Sequence, residues 1–141
     1  MKDDGALDRY ALRRLVRESG ERLKVAGVAS PEHDARELAE WILGTQLPLV
    51  DGADEAFAAT YEKAVQRRAA REPLQRITGR MFFRGLELEC RPGVFIVRPE
   101  TEVVAGVAIE AVLARERGGV AGGPLVVDLC TGSGAIAAAV A

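Results

Sequence analysis

Apolar residues in the first half of the chain recur every three or four positions, which is the spacing of amphipathic helices. The pattern predicts one helix over 7–26, a second that starts at Ser30-Pro31 and stops at Gly44, and a third over about 53–71. Three helices with short connections predict a small bundle over residues 1–73. The third helix is expected to bury an apolar stripe made of Phe57, Tyr61, Ala64 and Val65.

The periodicity changes after this bundle from that of helices to that of strands. Residues 79–93, GRMFFRGLELECRPG, predict two short strands that turn at Arg84-Gly85, because apolar residues alternate with glutamates in LELEC. The apolar run VFIV that follows predicts more extended chain. Residues 74–99 are therefore predicted to form a linking β-hairpin.

Residues 100–141 have the pattern that begins an α/β domain. The link RGGVAGGP, 117–124, separates a helix over about 100–116 from LVVDL, 125–129, which predicts a strand apolar on both faces, as in a parallel sheet covered by helices. The predicted fold class is α/β, with a helical bundle, a linking hairpin and the start of an α/β domain. The residues expected to face inward on the helix are Val103, Val104, Val107 and Ala111.

Composition excludes several classes of protein. A net charge of −2 argues against a general nucleic-acid binder, which is usually strongly basic. One histidine and two cysteines without a CxxC pair provide too few ligands for a zinc site and no disulfide framework, so a reduced, cytoplasmic protein is expected. The N-terminus mixes acids and bases, so no signal peptide is predicted, and no apolar run is long enough to span a membrane.

The stretch after the predicted strand, CTGSGAIA, has the chemistry of a cofactor-binding turn. Gly132 and Gly134 allow a tight turn and a close approach of the backbone to a ligand, and with Ala137 they also fit a dinucleotide fingerprint. Asp128 beside the turn would repel a pyrophosphate but attract the sulfonium and ammonium of S-adenosylmethionine. The pattern favours that cofactor over NAD, and an ordinary strand-to-helix turn is the alternative without function.

The ordered segments REPLQRITGRMFFRGLELECRPGVFIVRPETE and VVDLCTGSGAIA together resemble the bacterial release-factor glutamine methyltransferases, the PrmC/HemK family. The earlier segment AGVASPEHDARELAEWILG is similar to the N-terminal bundle of that family. The resemblance implies a Rossmann-like methyltransferase domain that begins at residue 100. It also implies transfer of a methyl group from S-adenosylmethionine to the glutamine of the Gly-Gly-Gln motif in class 1 peptide-chain release factors. The bundle and hairpin are implied to help dock the release factor.

By position, the resemblance implies two cofactor-binding segments. The first is the cofactor loop, which comprises Asp128, Cys130, Thr131, Gly132, Ser133 and Gly134. The second borders the cofactor pocket and comprises Arg98, Pro99, Glu100, Thr101 and Glu102. The helix dipole is an alternative explanation of the two glutamates, because acids are favoured in the first turn of a helix.

The sequence departs from the family at three points. Cys130 stands where the family has a glycine, so the backbone must either avoid a positive φ or tolerate strain. Val97 replaces the proline that usually precedes RPETE. The Asn-Pro-Pro-Tyr motif, which holds the target amide in the family, is not in these 141 residues, so no catalytic residue is assigned and the chain alone is expected to be inactive.

Other interpretations of function and of single residues stay open. The chain could be a non-catalytic module that binds a release factor, or part of a protein methyltransferase with another substrate. Release factors are the expected partners, without direct contact to nucleic acid or membrane. Residues 81–83 of the hairpin suit either a docking patch or burial. Cys130 suits either a reactive thiol near a helix start or a small buried side chain, and the buried side chain is expected. Arg67, Arg68 and Arg71 suit either a ribosomal or release-factor surface or a solvated helix face, and the solvated face is expected.

Overall fold

The computed structural model describes residues 6–119 and 123–141, and the chain divides into two units that meet between Thr78 and Gly79. The first unit is helical, as predicted, and its helices are α1 (Arg9–Val25), α2 (Pro31–Leu43), α3 (Glu55–Ala69) and α4 (Leu74–Thr78). A turn of 3-10 helix covers Leu47–Leu49, and the short strands β1 (Leu7–Asp8) and β2 (Gly52–Ala53) pair antiparallel. Residues 74–78, which the predicted hairpin included, therefore form a helix.

The ends of these helices follow from local chemistry. Asp8 and Asp54 each accept a hydrogen bond from the backbone N–H three residues later, at 2.7 Å, which satisfies free amides at the starts of α1 and α3. Pro31 occupies the first position of α2, where its missing N–H costs nothing. Gly44 ends α2 in the left-handed conformation, with φ +67°, as its position in the sequence predicts.

The core of the first unit is centred on Tyr61, which is fully buried. Its hydroxyl donates to the backbone carbonyl of Ala35 at 3.0 Å, and its ring stacks on Phe57 with centroids 5.3 Å apart. Burial raises the pKa of Tyr61 to about 12, because the phenolate would lose its hydration. All four residues predicted to face inward on α3 are buried, and they pack with Leu12, Leu23 and Leu38.

Ion pairs join the helices of this unit at several places. Arg68 donates from Nε to Oδ2 of Asp34 at 2.7 Å, and both side chains are largely buried. Arg67 pairs with Glu72, and Arg71 donates to the carbonyl of Gly27. The expected solvation is confirmed for Arg67 and Arg71, whose side chains are exposed, and it is wrong for Arg68, which is largely buried.

The second unit contains the predicted hairpin. Strands β3 (Arg80–Phe83) and β4 (Leu86–Glu89) pair antiparallel from Arg80↔Glu89 to Phe83↔Leu86. The hairpin turns at Arg84 and Gly85, where φ is +48° and +80°, as a tight two-residue turn requires. Of the three hairpin residues in question, Met81 and Phe83 are buried whereas Phe82 is exposed. The helices of this unit are α5 (Thr101–Arg117) and α6 (Ala135–Val140).

Two predictions for this unit are wrong. The residues expected to face inward on α5 lie outside, with Val103 71% exposed, and Ala105 is the fully buried residue instead. Residues 125–129 form no strand, and Leu125 and Leu129 are 91% and 83% exposed. A parallel strand needs neighbours for its hydrogen bonds, and no described residue of this unit pairs with this segment. The VFIV run, which is predicted as extended chain, lies outside the helices and strands. The predicted link over 117–124 includes 120–122, which lie outside the described residues.

No helix within residues 6–119 or 123–141 is both long enough and apolar enough to cross a membrane.

Candidate cofactor site

The glycine turn leads directly into α6. Cys130, Gly132 and Gly134 all have left-handed backbones, with φ of +59°, +58° and +77°, and Gly134 is the residue that caps α6. Glycine adopts this conformation freely, whereas a residue with a Cβ pays about 1–2 kcal/mol. Of the two alternatives for Cys130, strain is thus the one observed. Its thiol is exposed, so the expectation that it packs as a small buried side chain is wrong.

A hydrogen bond inside the turn orients Asp128. Thr131 donates from Oγ1 to Oδ2 of Asp128 at 3.0 Å, and the N–H of Gly134 donates to the carbonyl of Thr131 at 2.9 Å. One carboxylate oxygen is therefore held by the turn. Among the described residues nothing engages the other oxygen, Oδ1, which is left as an acceptor for a ligand.

The second predicted segment forms the entry into α5. The N–H of Thr101 donates to the carbonyl of Arg98, and that of Glu102 donates to the carbonyl of Pro99, both at 3.0 Å. These bonds make one helical turn before α5 proper. Arg98, Pro99 and Glu100 are exposed on this turn, whereas Thr101 and Glu102 are half-buried.

Glu102 is engaged by the hairpin turn. The backbone N–H of Arg84 donates to Oε1 of Glu102 at 2.9 Å, and the Arg84 guanidinium donates to the Glu102 carbonyl at 3.0 Å. A Cβ on Gly106 would lie 3.3 Å from Nη1 of Arg84, so this glycine leaves room for the guanidinium against α5. The sequence predicts Arg84 only as a turn residue, because no local pattern relates two positions that are 18 residues apart.

The two predicted segments border one small core. Phe83, Ala105 and Ala135 are its buried members. Val97, directly before Arg98, and Ile136, in the first turn after Gly134, both pack against it. The structure thus brings residues that flank the cofactor loop and the RPETE segment to the same core cluster, although no hydrogen bond joins the described residues of the two segments.

Comparison with known proteins gives a consistent result along the chain. Residues 14–79 match the PrmC N-terminal domain. The chain is 54% identical over 129 residues to the release factor glutamine methyltransferase of Streptomyces coelicolor, which covers 89% of this chain and 44% of that protein. It is 43% identical over 130 residues to the protein of the same name from Bifidobacterium longum, and this match covers 86% of this chain and 43% of that protein. It is 40% identical over 134 residues to the one from Mycobacterium tuberculosis, and this match covers 92% of this chain and 41% of that protein.

The chain belongs to the PrmC family. It corresponds to the N-terminal portion of that family and spans less than half the length of the curated relatives it matches.

An apolar cleft of about 760 Å³ lies beside the turn in the second unit of this PrmC-family chain. Its walls include Val104, Ala108, Val112 and Glu116 of α5 and the chain from Val126 to Leu129, so Asp128 and Glu116 are two acidic side chains on a lining whose other side chains are apolar. No cluster of three or more histidine, cysteine or acidic side chains suited to a metal ion exists in the described part of the chain.

Proposed function

We propose that this chain is part of an S-adenosylmethionine-dependent methyltransferase that modifies the glutamine of the Gly-Gly-Gln motif in class 1 peptide-chain release factors. The observation that carries the proposal is the 54% identity to a release factor glutamine methyltransferase over 129 residues. That extent of similarity exceeds what a shared glycine turn alone would give. In this proposal residues 1–73 are a substrate-docking domain, 74–99 are a linker and 100–141 begin a Rossmann-like methyltransferase domain.

The geometry of the turn is compatible with the proposed cofactor. An added Cβ at Gly134 would meet no atom within 4 Å, so the backbone there is open to a ligand. The Asp128 carboxylate offers a negative charge beside that space, which suits a sulfonium and an ammonium and disfavours a pyrophosphate. We assign the cofactor loop and the segment from Arg98 to Glu102 as its binding residues, with Glu102 acting through its contact to Arg84.

The chemistry of the reaction explains why positioning matters. When bound, the cofactor supplies an electrophilic methyl group. The amide nitrogen of glutamine is a poor nucleophile because its lone pair is delocalised into the carbonyl, so transfer requires precise orientation. The residues of this chain act on the cofactor. Asp128 orients the cofactor by its charge, and Gly132 and Gly134 let the backbone come close to it. We propose a cytoplasmic enzyme, and we expect the isolated 141-residue chain to be inactive because residues 125–129 are unpaired.

Methyl transfer to a class 1 release factor by the full-length protein tests the function. Radiolabel from S-adenosylmethionine should enter the wild-type factor and not a variant whose Gly-Gly-Gln glutamine is replaced by alanine. Asp128→Asn should weaken calorimetric cofactor binding by about tenfold, the worth of one favourable charge contact. Glu110→Gln, an exposed position on α5, is the control and should bind as wild type. Labelling of the alanine variant, or tight binding of NAD in place of S-adenosylmethionine, would contradict the proposal.

A further inference from the structure

The arginines of the first unit divide into paired and unpaired groups. Arg9, Arg14, Arg22, Arg67 and Arg68 lie in ion pairs, Arg71 donates to backbone carbonyls, and Arg76 also has a partner. Three arginines make no hydrogen bond or ion pair with any described residue, and these are Arg13, Arg17 and Arg36. The unit thus pairs its other arginines but leaves these three guanidinium groups without a bonded partner among the described residues.

All three unpaired arginines line one cleft between α1 and α2, with a volume of about 390 Å³. Arg13 and Arg17 are four residues apart on α1 and therefore share one face of that helix, while Arg36 faces the cleft from α2. Val16 and Gly20 form the α1 side of its floor. The three arginines are part-exposed or exposed, so a partner can reach them.

The charge of the cleft is not balanced from within. Glu32 is the one carboxylate on its lining, against three guanidinium groups. Like charges held close together repel, and an anion in the cleft removes that repulsion. Guanidinium groups recognise carboxylates and phosphates through paired N–H donors, which makes both candidate ligands.

The surroundings of the cleft favour carboxylates over a polyphosphate backbone. The chain as a whole carries a charge of −2, and α1 also bears Glu18 and Glu21 close to the cleft in sequence. A nucleic acid would run its phosphates past these acids, whereas a few acidic side chains would enter the cleft alone. Val16 is largely buried but lines the cleft, where it is an apolar contact for the methylenes of such side chains.

We propose that the cleft formed by Arg13, Arg17 and Arg36 binds acidic side chains on the surface of the release factor. This inference rests on the proposed function for the identity of the partner, and on the unpaired arginines for the chemistry of the contact. The residues of the cleft belong to the helical unit and are far from the cofactor loop in sequence, so the release factor would be held by residues other than those that bind the cofactor.

Charge reversal in the cleft is the direct test. In the full-length protein, Arg13→Glu/Arg17→Glu should weaken calorimetric binding of a class 1 release factor by about tenfold or more at low salt, and raise KM for the factor in the methylation assay. The matched control is Lys24→Glu/Lys63→Glu, which changes net charge equally at exposed positions of the same unit outside the cleft. We expect the control to stay within about twofold of wild type. Raising the salt should shrink the difference between the two variants.

The outcomes separate this inference from the proposed function. If the wild type methylates the factor and the cleft and control variants bind the factor equally well, the proposed role of the cleft is wrong and the proposed function stands. A wild type that neither methylates nor binds the factor would overturn both. Tighter, arginine-dependent binding of a short single-stranded RNA would make the cleft a nucleic-acid site and reject the acidic protein partner. If circular dichroism shows that the glutamate variant is unfolded, Arg13→Gln/Arg17→Gln removes the charges without adding acids, and about threefold weaker binding is then expected.

Discussion

The two units of this chain differ in how far their large apolar side chains are buried. In the helical unit, the leucines at 12, 23 and 38 are buried around Tyr61. In the second unit, Val103, Val104 and Val107 of α5 and the leucines at 125 and 129 are exposed, and its core cluster has only small buried members beside Phe83, namely Ala105 and Ala135. An apolar side chain stabilises the folded state only when another surface covers it and removes it from water. The first unit supplies those surfaces itself, whereas the described residues of the second do not.

This difference also separates the kinds of contact that hold each unit. The first unit combines a hydrophobic core with ion pairs between helices, of which Asp34–Arg68 is largely buried. The second unit relies more on hydrogen bonds at its surface, within a tight hairpin turn and between Arg84 of that turn and Glu102 of α5. Substitutions should therefore have large, global effects in the first unit and small, local effects in the second.

The largest contrast is expected from the same substitution made in each unit. Leu38→Ala should lower the free energy of unfolding by about 2–5 kcal/mol, because Leu38 is 0% exposed and its removal leaves a cavity. Leu129→Ala, at a side chain that is 83% exposed, should change it by no more than about 0.5 kcal/mol. Urea unfolding followed by the fluorescence of Trp41, which packs against the core of the first unit, measures the effect of Leu38→Ala. Circular dichroism follows the whole chain for both, and equal losses would break the comparison.

A pH series should give the next largest effect, again confined to the first unit. The pKa of Tyr61 is raised from 10.0 to about 12 by burial, so the folded state retains a proton that the unfolded state releases. The stabilisation is complete below pH 10 and is lost as the pH rises toward 12, by about 1.4 kcal/mol per pH unit. Tyr61→Phe should remove this slope and cost about 1 kcal/mol at neutral pH through the lost bond to Ala35. A slope that persists in Tyr61→Phe would assign it to another group.

The smallest effect is expected at the hairpin turn. Arg84→Ala removes the guanidinium bond to Glu102 and should destabilise the hairpin by about 1 kcal/mol, seen as roughly fivefold faster amide exchange in β3 and β4. Trp41 fluorescence should report no change in the first unit. Arg115→Ala, near the other end of α5, is the control. Exchange that accelerates equally in both variants would show that the Arg84 contact does not hold the hairpin.

The sequence predicted what is encoded locally. The start at Pro31, the stop at Gly44 and the hairpin turn all depend on residues within a few positions of each other. The burying face of α5 could not be predicted, because its valines, leucine and isoleucine spread around the helix and no single stripe dominates. The strand over 125–129 was predicted from composition alone, and pairing depends on partners distant in sequence.

The candidate site shows the same division. The turn residues and Asp128 follow from a short motif, and the strain at Cys130 was one of the two alternatives that its side chain allowed. The bonds from Arg84 to Glu102 and the cleft of unpaired arginines depend on tertiary contacts between separate elements. Periodicity and motifs contain no information on such contacts.

Gly20 gives α1 a sharp size limit at the floor of the arginine cleft. It is buried in a helix interior, where glycine costs about 1 kcal/mol relative to alanine, and an added Cβ would lie 3.4 Å from the Cα of Glu32 on α2. A methyl group would just reach the neighbouring backbone, and a larger side chain would have to push the two helices apart. The size of the side chain at this position therefore limits how closely α1 and α2 can approach each other. In a series of substitutions at Gly20, the separation of the two helices should therefore not grow steadily with side-chain size. Alanine should be tolerated, and every larger side chain should widen the cleft that Arg13, Arg17 and Arg36 share.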